Sequence, residues 1–167
     1  MLRTHTCGQL RPDHVGQEVT LCGWVDSTRD HGGAVFIDLR DRYGKTQVVA
    51  SPQSGPEILE QAGRLRSEDV IRVVGKIARR PEGTTNPKLD TGEIELRITE
   101  LEILNRSKTP PFTPGQQDLP TEDLRLKYRY LDLRRSPMQE TLLLRSRIIK
   151  TMRDYFAEHD FIDVETP

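Results

Sequence analysis

The sequence predicts a mainly β fold, a small barrel of five strands with one helix between the third and the fourth strand. Residues 19–50 read as three strands joined by two turns, and both turns contain glycines that supply backbone freedom. A capped, apolar-faced helix follows from Ser54, and two more strands are predicted at 70–78 and 93–104. These observations together predict the fold class.

The second of these strands places an aromatic side chain on its polar face. Side chains alternate between the two faces of a strand. One face of this strand therefore carries Val35, Ile37 and Leu39, and the other carries Phe36, Asp38 and Arg40. In the next strand Lys45 and Gln47 share a face that a meander would bring alongside Phe36. A ring flanked by an amide and cations suits a base that stacks and is hydrogen-bonded on its edge. The alternative is a ring covered by a loop or by a second core layer.

The helix and the last two strands complete the predicted barrel. Ser54 can cap the helix and Pro56 fits its first turn, while one buried face is predicted from Ile58, Leu59, Ala62 and Leu65. The alternation within 93–104 changes phase, which predicts a β-bulge near Thr99. A helical turn is also predicted around 10–15. Three strands, a helix and two strands is the order of the OB-fold, which often binds single-stranded nucleic acid across strands 2 and 3.

Composition limits the class of function. The chain has 167 residues and a net charge of −1, so any nucleic-acid surface must be a local patch rather than a bulk charge. Cys7 and Cys22 have no metal-ligand or redox spacing and are expected to be buried free thiols in a reducing compartment. Neither a signal peptide nor a membrane span is predicted, and we expect a cytoplasmic protein.

The composition changes after the predicted barrel, and we expect three segments, 1–105, 106–136 and 137–167. The first is the OB-fold, and the second is a proline-rich linker followed by a basic hinge. That hinge, rich in Arg, Lys and Tyr, is either a helical element with phosphate contacts or a solvated amphipathic helix. The last segment is a long apolar-faced helix and a strand-like tail from 159. We expect it to be the start of a domain whose remainder is missing.

Three sequence blocks resemble those of bacterial-type aspartyl-tRNA synthetases. They are Leu-Cys-Gly-Trp-Val (21–25) with Arg-Asp-His-Gly-Gly (29–33), Phe-Ile-Asp-Leu-Arg-Asp (36–41), and Leu-Lys-Tyr-Arg-Tyr-Leu-Asp-Leu-Arg-Arg (126–135). The tail Phe-Ile-Asp-Val-Glu-Thr-Pro resembles motif 1 of class II synthetases, which implies that 137–167 is the truncated start of an α/β catalytic domain. The resemblance covers essentially the whole chain, as the N-terminal third of such an enzyme.

The resemblance implies an anticodon-binding site. Phe36 matches the aromatic that stacks on the middle uridine of the aspartate anticodon, and Gln47 matches the glutamine that hydrogen-bonds it. Arg29 falls on a cationic position of the anticodon-side loop, and Glu95 falls on the carboxylate near the first anticodon base. Ala78 replaces an arginine common in some relatives, and Arg79 and Arg80 could substitute for it, with Arg80 counted among the anticodon-binding residues.

His31 has a separate implication for tRNA selectivity. Its loop position is often apolar in family members that charge only aspartate tRNA, and His followed by Gly-Gly resembles the relaxed type that also charges asparagine tRNA. The alternative is a surface histidine without a role in selectivity. Ser27 and Thr28 depart from a run of arginines found in many relatives, so two phosphate contacts expected from the family are in doubt.

The resemblance also implies what the chain does not carry. In the family, ATP and Mg²⁺ activate aspartate as an adenylate before transfer to tRNA, through residues of motifs 2 and 3. We therefore expect no catalytic or metal-binding residue here, and an inactive chain when alone. A homodimer interface is implied at Leu144, Ile148, Met152 and Pro167. Expected partners are tRNA-Asp and also tRNA-Asn, with no DNA and no membrane. The alternatives are a free-standing OB-fold RNA-binding module and a part of an asparaginyl or lysyl relative.

Overall fold

Five strands close into a barrel in the computed structural model, which describes residues 2–116 and 118–165. The strands are β1 (Glu18–His31), β2 (Ala34–Asp41), β3 (Gly44–Ala50), β4 (Val70–Arg79) and β5 (Ile94–Asn105). Their order around the barrel is β1-β2-β3-β5-β4, and β4 returns to pair with β1. β3 and β5 are parallel, and the other neighbouring pairs are antiparallel. The predicted fold class is confirmed.

The helix α1 (Pro56–Gly63) lies between β3 and β4, as predicted. Its predicted apolar face packs on the barrel core, with Ala62 and Leu65 buried and Ile58 and Leu59 partly buried. The expected cap is wrong: Ser54 ends a short 3-10 turn, and the cap residue is Gly55, whose φ of 98° favours glycine. A second 3-10 turn, Pro12–His14, falls inside the helical turn predicted near the N-terminus.

The barrel core takes its apolar side chains from every strand. The predicted alternation of β2 is confirmed, because Val35, Ile37 and Leu39 are buried. The opposite face of β2 carries the polar residues and Phe36, which is half-buried. The largest fully buried side chains are Leu10, Leu21, Ile37, Leu39, Ile71, Ile94, Leu96 and Ile98.

A bulge in β5 confirms the predicted change of phase at Thr99. Val74 of β4 pairs with Glu100 and Gly75 pairs with Ile98, so Thr99 is the extra residue. A Cβ atom on Gly75 would lie 2.2 Å from the carbonyl oxygen of Arg97. The close approach of the two strands therefore requires glycine at this position.

Asp69 ties the start of β4 to the chain that leaves β5. Its buried carboxylate accepts hydrogen bonds from the backbone N–H of Arg66 at 3.0 Å and of Ser107 at 2.8 Å. The Arg106 guanidinium donates a third at 2.9 Å. The Asp69 carbonyl in turn accepts from the N–H of Val25 at 2.8 Å, so one residue connects three segments at this end of the barrel.

The chain divides into two compact units, Met1–Pro111 and Phe112–Pro167. The second contains α2 (Glu122–Lys127), α3 (Arg129–Asp132) and α4 (Ser136–Glu158), so the basic segment is helical. The finer division at 105 and 136 stays a prediction. In this unit the buried Asp132 lies 2.5 Å from Arg129 and 3.2 Å from Arg135.

The prediction of a strand-like tail is wrong for the part of the tail that the structure describes. Residues 161–165 form no strand, because no neighbouring strand supplies hydrogen bonds to them. Leu144, Ile148 and Met152 of α4 are each about half exposed, at 52%, 51% and 54%. Pro167, the fourth expected interface residue, lies outside the described residues. Within 2–116 and 118–165, no helix is long and apolar enough to cross a membrane.

Candidate nucleic-acid interface

One row of directly paired residues crosses all five strands on the outer face of the barrel. Arg29 of β1 pairs with Phe36 of β2, which pairs with Val49 of β3. Val49 pairs with Arg97 of β5, and Arg97 pairs with Lys76 of β4. An aromatic ring and a valine thus lie at the middle of the row, with cations at both ends.

The row forms the floor of an open cavity of about 810 Å³. Five of the six predicted anticodon-binding residues line this cavity: Arg29, His31, Phe36, Gln47 and Glu95. The His31 and Phe36 rings lie 6.4 Å apart between centroids and are tilted by 59°. The cavity therefore has an accessible aromatic face with polar side chains on either side, which is the arrangement that binds an unstacked base.

Gln47 is held by a buried carboxylate. Its Nε2 donates to Oε2 of Glu95 at 3.2 Å, and Nε of Arg97 donates to Oε1 of the same residue at 3.1 Å. Gln47 and Glu95 are both buried, whereas the Arg97 side chain is 60% exposed. Because a carboxylate only accepts hydrogen bonds, the amide nitrogen of Gln47 faces Glu95 and the amide oxygen faces away from it.

Arg29 is held by Asp38, the residue two positions after Phe36 on the same strand face. Nη2 of Arg29 donates to Oδ1 of Asp38 at 2.9 Å, and the Ser27 hydroxyl donates to Oδ2 at 2.8 Å. Ser27 thus supports the carboxylate that orients Arg29. The remaining guanidinium donors of Arg29 stay exposed at the cavity edge.

Arg80 lies beside the cavity rather than in its lining. Its Nε donates to the carbonyl of Ile94 at 3.0 Å. Burial lowers the pKa of the Arg80 guanidinium, although the nearby carboxylates of Glu95 and Asp38 act in the opposite direction. Within the described part of the chain, its buried Nη2 has no hydrogen-bond partner.

Three residues of this surface were not identified as functional from the sequence: Asp38, Lys76 and Arg97. Alternation already places Asp38 on the face of Phe36 and Arg97 on the face of Glu95, so a signal for both exists in the sequence. Lys76 could not be found in this way. Its place depends on the β5 bulge and on strand pairing between distant segments.

No group of three or more His, Cys, Asp or Glu side chains among residues 2–116 and 118–165 is placed to hold a metal ion. Cys7 is buried, Cys22 is half-buried, and both are free thiols. Burial raises the pKa of each thiol above its usual value. Neither thiol is therefore an activated nucleophile.

Comparison with known families agrees with this geometry. The model of the anticodon family, described as an OB-fold nucleic acid binding domain, matches residues 19–104. The chain therefore belongs to the family of OB-fold nucleic-acid-binding domains. Residues 121–167 match the model of tRNA synthetases class II (D, K and N).

The curated relatives are more specific. The chain is 69% identical over its whole length to the aspartate–tRNA(Asp/Asn) ligase of Rhodopirellula baltica and 54% identical over 99% of its length to that of Salinibacter ruber. It spans only 28% and 27% of the length of these two relatives. The resemblance to the N-terminal part of aspartyl-tRNA synthetases is confirmed.

Solved structures share the fold at low identity. Aspartyl-tRNA synthetase from Entamoeba histolytica has a TM-score of 0.86 at 18% identity and covers 98% of this chain and 39% of its own. Asparaginyl-tRNA synthetase from Pyrococcus horikoshii has a TM-score of 0.83 at 23% identity and covers 100% of this chain and 38% of its own. At these identities the comparison supports the fold alone.

Proposed function

We propose that this chain is the anticodon-binding portion of an aspartate–tRNA ligase that attaches L-aspartate to tRNA-Asp and also to tRNA-Asn. The observation that carries the proposal is Phe36, half-buried on the outer face of an OB-fold strand, with the oriented amide of Gln47 in the same cavity. The names of the relatives at 69% and 54% identity support the amino acid and the two tRNAs. The finer residue roles rest on the geometry.

The orientation of Gln47 favours uracil as the stacked base. With Nε2 directed to Glu95, the amide oxygen is the group left to meet the edge of a base on Phe36. Uracil presents N3–H, a donor, to such an acceptor, whereas N3 of cytosine is itself an acceptor. Arg29 at the edge of the cavity and Arg80 beside it supply further donors to base edges or phosphates.

Binding of anticodon hairpins tests the proposal. Hairpins with the anticodon loops of aspartate, asparagine and lysine tRNAs would be titrated at one fixed salt concentration. We expect similar affinities for the first two, which share their first two anticodon bases, and weaker binding of the third. Binding of all three alike, or of none, would contradict the proposal.

His31 is expected to permit the asparagine anticodon. The same titration with His31→Leu should lower the affinity for the asparagine hairpin by about threefold to tenfold, the worth of one hydrogen bond. Affinity for the aspartate hairpin should stay within about twofold. Equal affinities in the variant would leave His31 without a role in selectivity.

The carboxylate of Glu95 is expected to set the base preference through Gln47. Glu95→Gln replaces a carboxylate, which can only accept hydrogen bonds, by an amide, which can also donate them. The Gln47 amide can then turn and present either its oxygen or its nitrogen to the base. We expect the preference for uridine over cytosine at the middle anticodon position to narrow by about threefold to tenfold. Glu93→Gln is the matched control, because Glu93 is exposed and pairs with Arg79 at 3.8 Å. An unchanged preference in Glu95→Gln would contradict the role given to this carboxylate.

The activity of the whole enzyme belongs to the same proposal. ATP and Mg²⁺ would support formation of an aspartyl-adenylate in the whole enzyme, and we assign neither group to residues of this chain. The enzyme would act in the cytoplasm, as its two free thiols favour a reducing compartment. It would dimerise through the face of α4 that carries Leu144, Ile148 and Met152.

A further inference from the structure

We propose that Lys76 and Arg97 form an anion subsite that binds backbone phosphates of the RNA next to the base on Phe36. This inference rests on the proposed function, because it names a second contact of the same RNA. Both residues line the same cavity as Phe36, yet neither belongs to the predicted anticodon-binding set. The ligand class is the phosphodiester of single-stranded RNA.

The first argument is the position of the pair. Neighbouring strands lie about 5 Å apart, so the backbone of Arg97, two strands from Phe36, is about 10 Å from it, and that of Lys76 is about 15 Å away. The RNA chain must continue from a base stacked on Phe36 into the neighbouring nucleotides. Their phosphates would cross the barrel surface at distances of this order.

The second argument is the unpaired charge of Lys76. Lys76 and Arg97 are directly paired across β4 and β5, and like charges in such a pair destabilise a sheet. Glu18 is opposite Lys76 on β1, but within the part of the chain that the structure describes the Lys76 ammonium makes no hydrogen bond or ion pair. A bound phosphate would supply the counter-charge that Lys76 lacks, whereas Arg97 already has an ion pair with Glu95.

The third argument is that Arg97 is already oriented. Nε of Arg97 is fixed on Glu95, which leaves the outer nitrogens of an exposed guanidinium available to a phosphate. The Ser51 hydroxyl also lines this cavity and can donate to a phosphate oxygen. Because Glu95 also holds Gln47, one carboxylate connects the subsite for the base with the subsite for the phosphate.

Salt dependence of binding tests the subsite. A short single-stranded RNA containing the aspartate anticodon would be titrated at a series of salt concentrations with the wild-type chain, Lys76→Ala, and Lys76→Ala/Arg97→Gln. The slope of log K against log salt is negative, and each lost phosphate contact should reduce its magnitude by about 0.7. Arg66→Ala is the matched control, since Arg66 is exposed, lies outside the cavity and should leave the slope unchanged. Thermal unfolding would verify that each variant is folded.

A chemical change in the RNA gives an independent readout. Methylphosphonate linkages, which are uncharged, would replace the phosphates one at a time around the central uridine. At one or two positions we expect the wild-type chain to lose affinity and Lys76→Ala/Arg97→Gln to lose none. Wild-type slopes in both variants, together with retained RNA binding, would overturn the subsite and leave the proposed function standing. Failure of the wild-type chain to bind RNA would instead overturn the proposed function.

Discussion

Replacing Phe36 by alanine is expected to weaken binding of the aspartate anticodon hairpin by about fivefold to 150-fold. The estimate follows from about 1–3 kcal/mol for a base stacked on an aromatic side chain. Phe36 is half-buried in the paired row, and no other aromatic ring among the described lining residues except the His31 imidazole could replace it. Fluorescence anisotropy at fixed salt would measure the change.

Two controls separate stacking from general damage. Tyr43→Ala removes an exposed aromatic from the turn between β2 and β3, outside the cavity, and should leave affinity unchanged. A hairpin with an abasic middle position should bind wild-type and Phe36→Ala chains equally, since it has no base to stack. The salt slope should be the same in both proteins, because Phe36 carries no charge. An unchanged affinity for the intact hairpin in Phe36→Ala would show that the site is assigned to the wrong residue.

The features of the fold that depend on short-range periodicity could be predicted from the sequence. The alternation of Val35, Ile37 and Leu39 against Phe36 identified both faces of β2, because side chains on a strand repeat every two residues. The change of phase near Thr99 identified the bulge for the same reason. Sequence blocks then supplied the family, which pattern alone could not have named.

Long-range pairing determined what the sequence could not predict. Gln47 and Glu95 meet because β3 pairs in parallel with β5, and no local signal specifies that register. Arg97 and Lys76 face each other only after the bulge has shifted β5 against β4. The cap was misassigned for a local reason, since the residue after Ser54 is a glycine that can adopt positive φ. The tail was misassigned because alternation alone does not provide a partner strand.

Asp69 is expected to give the largest pH-dependent contribution to barrel stability among the residues discussed here. Burial alone would raise the pKa of its carboxyl, but the N–H groups of Ser107 and Arg66 and the Arg106 guanidinium outweigh burial and lower it. In the unfolded chain the same carboxyl has its ordinary pKa of about 3.9. The folded state therefore gains stability from Asp69 above that pH and loses it as the pH falls through the lower, folded-state pKa.

Asp69→Asn is accordingly expected to lower the free energy of unfolding by about 1.5–3 kcal/mol at neutral pH, the range for hydrogen bonds to a charged group. The difference from the wild-type chain should shrink as the pH is lowered below about 4, because the wild-type carboxyl then becomes protonated and loses its advantage. Urea unfolding of both proteins between neutral and acid pH would measure this. Asp90→Asn is the matched control. The exposed Asp90 lies as far as 3.8 Å from the Arg11 guanidinium, so this ion pair should contribute almost nothing to stability. A deficit in Asp69→Asn that is constant across this pH range would mean that Asp69 acts through its shape and not through its charge, and the connection between the ends of β4 and β5 would then not depend on an ionised carboxylate.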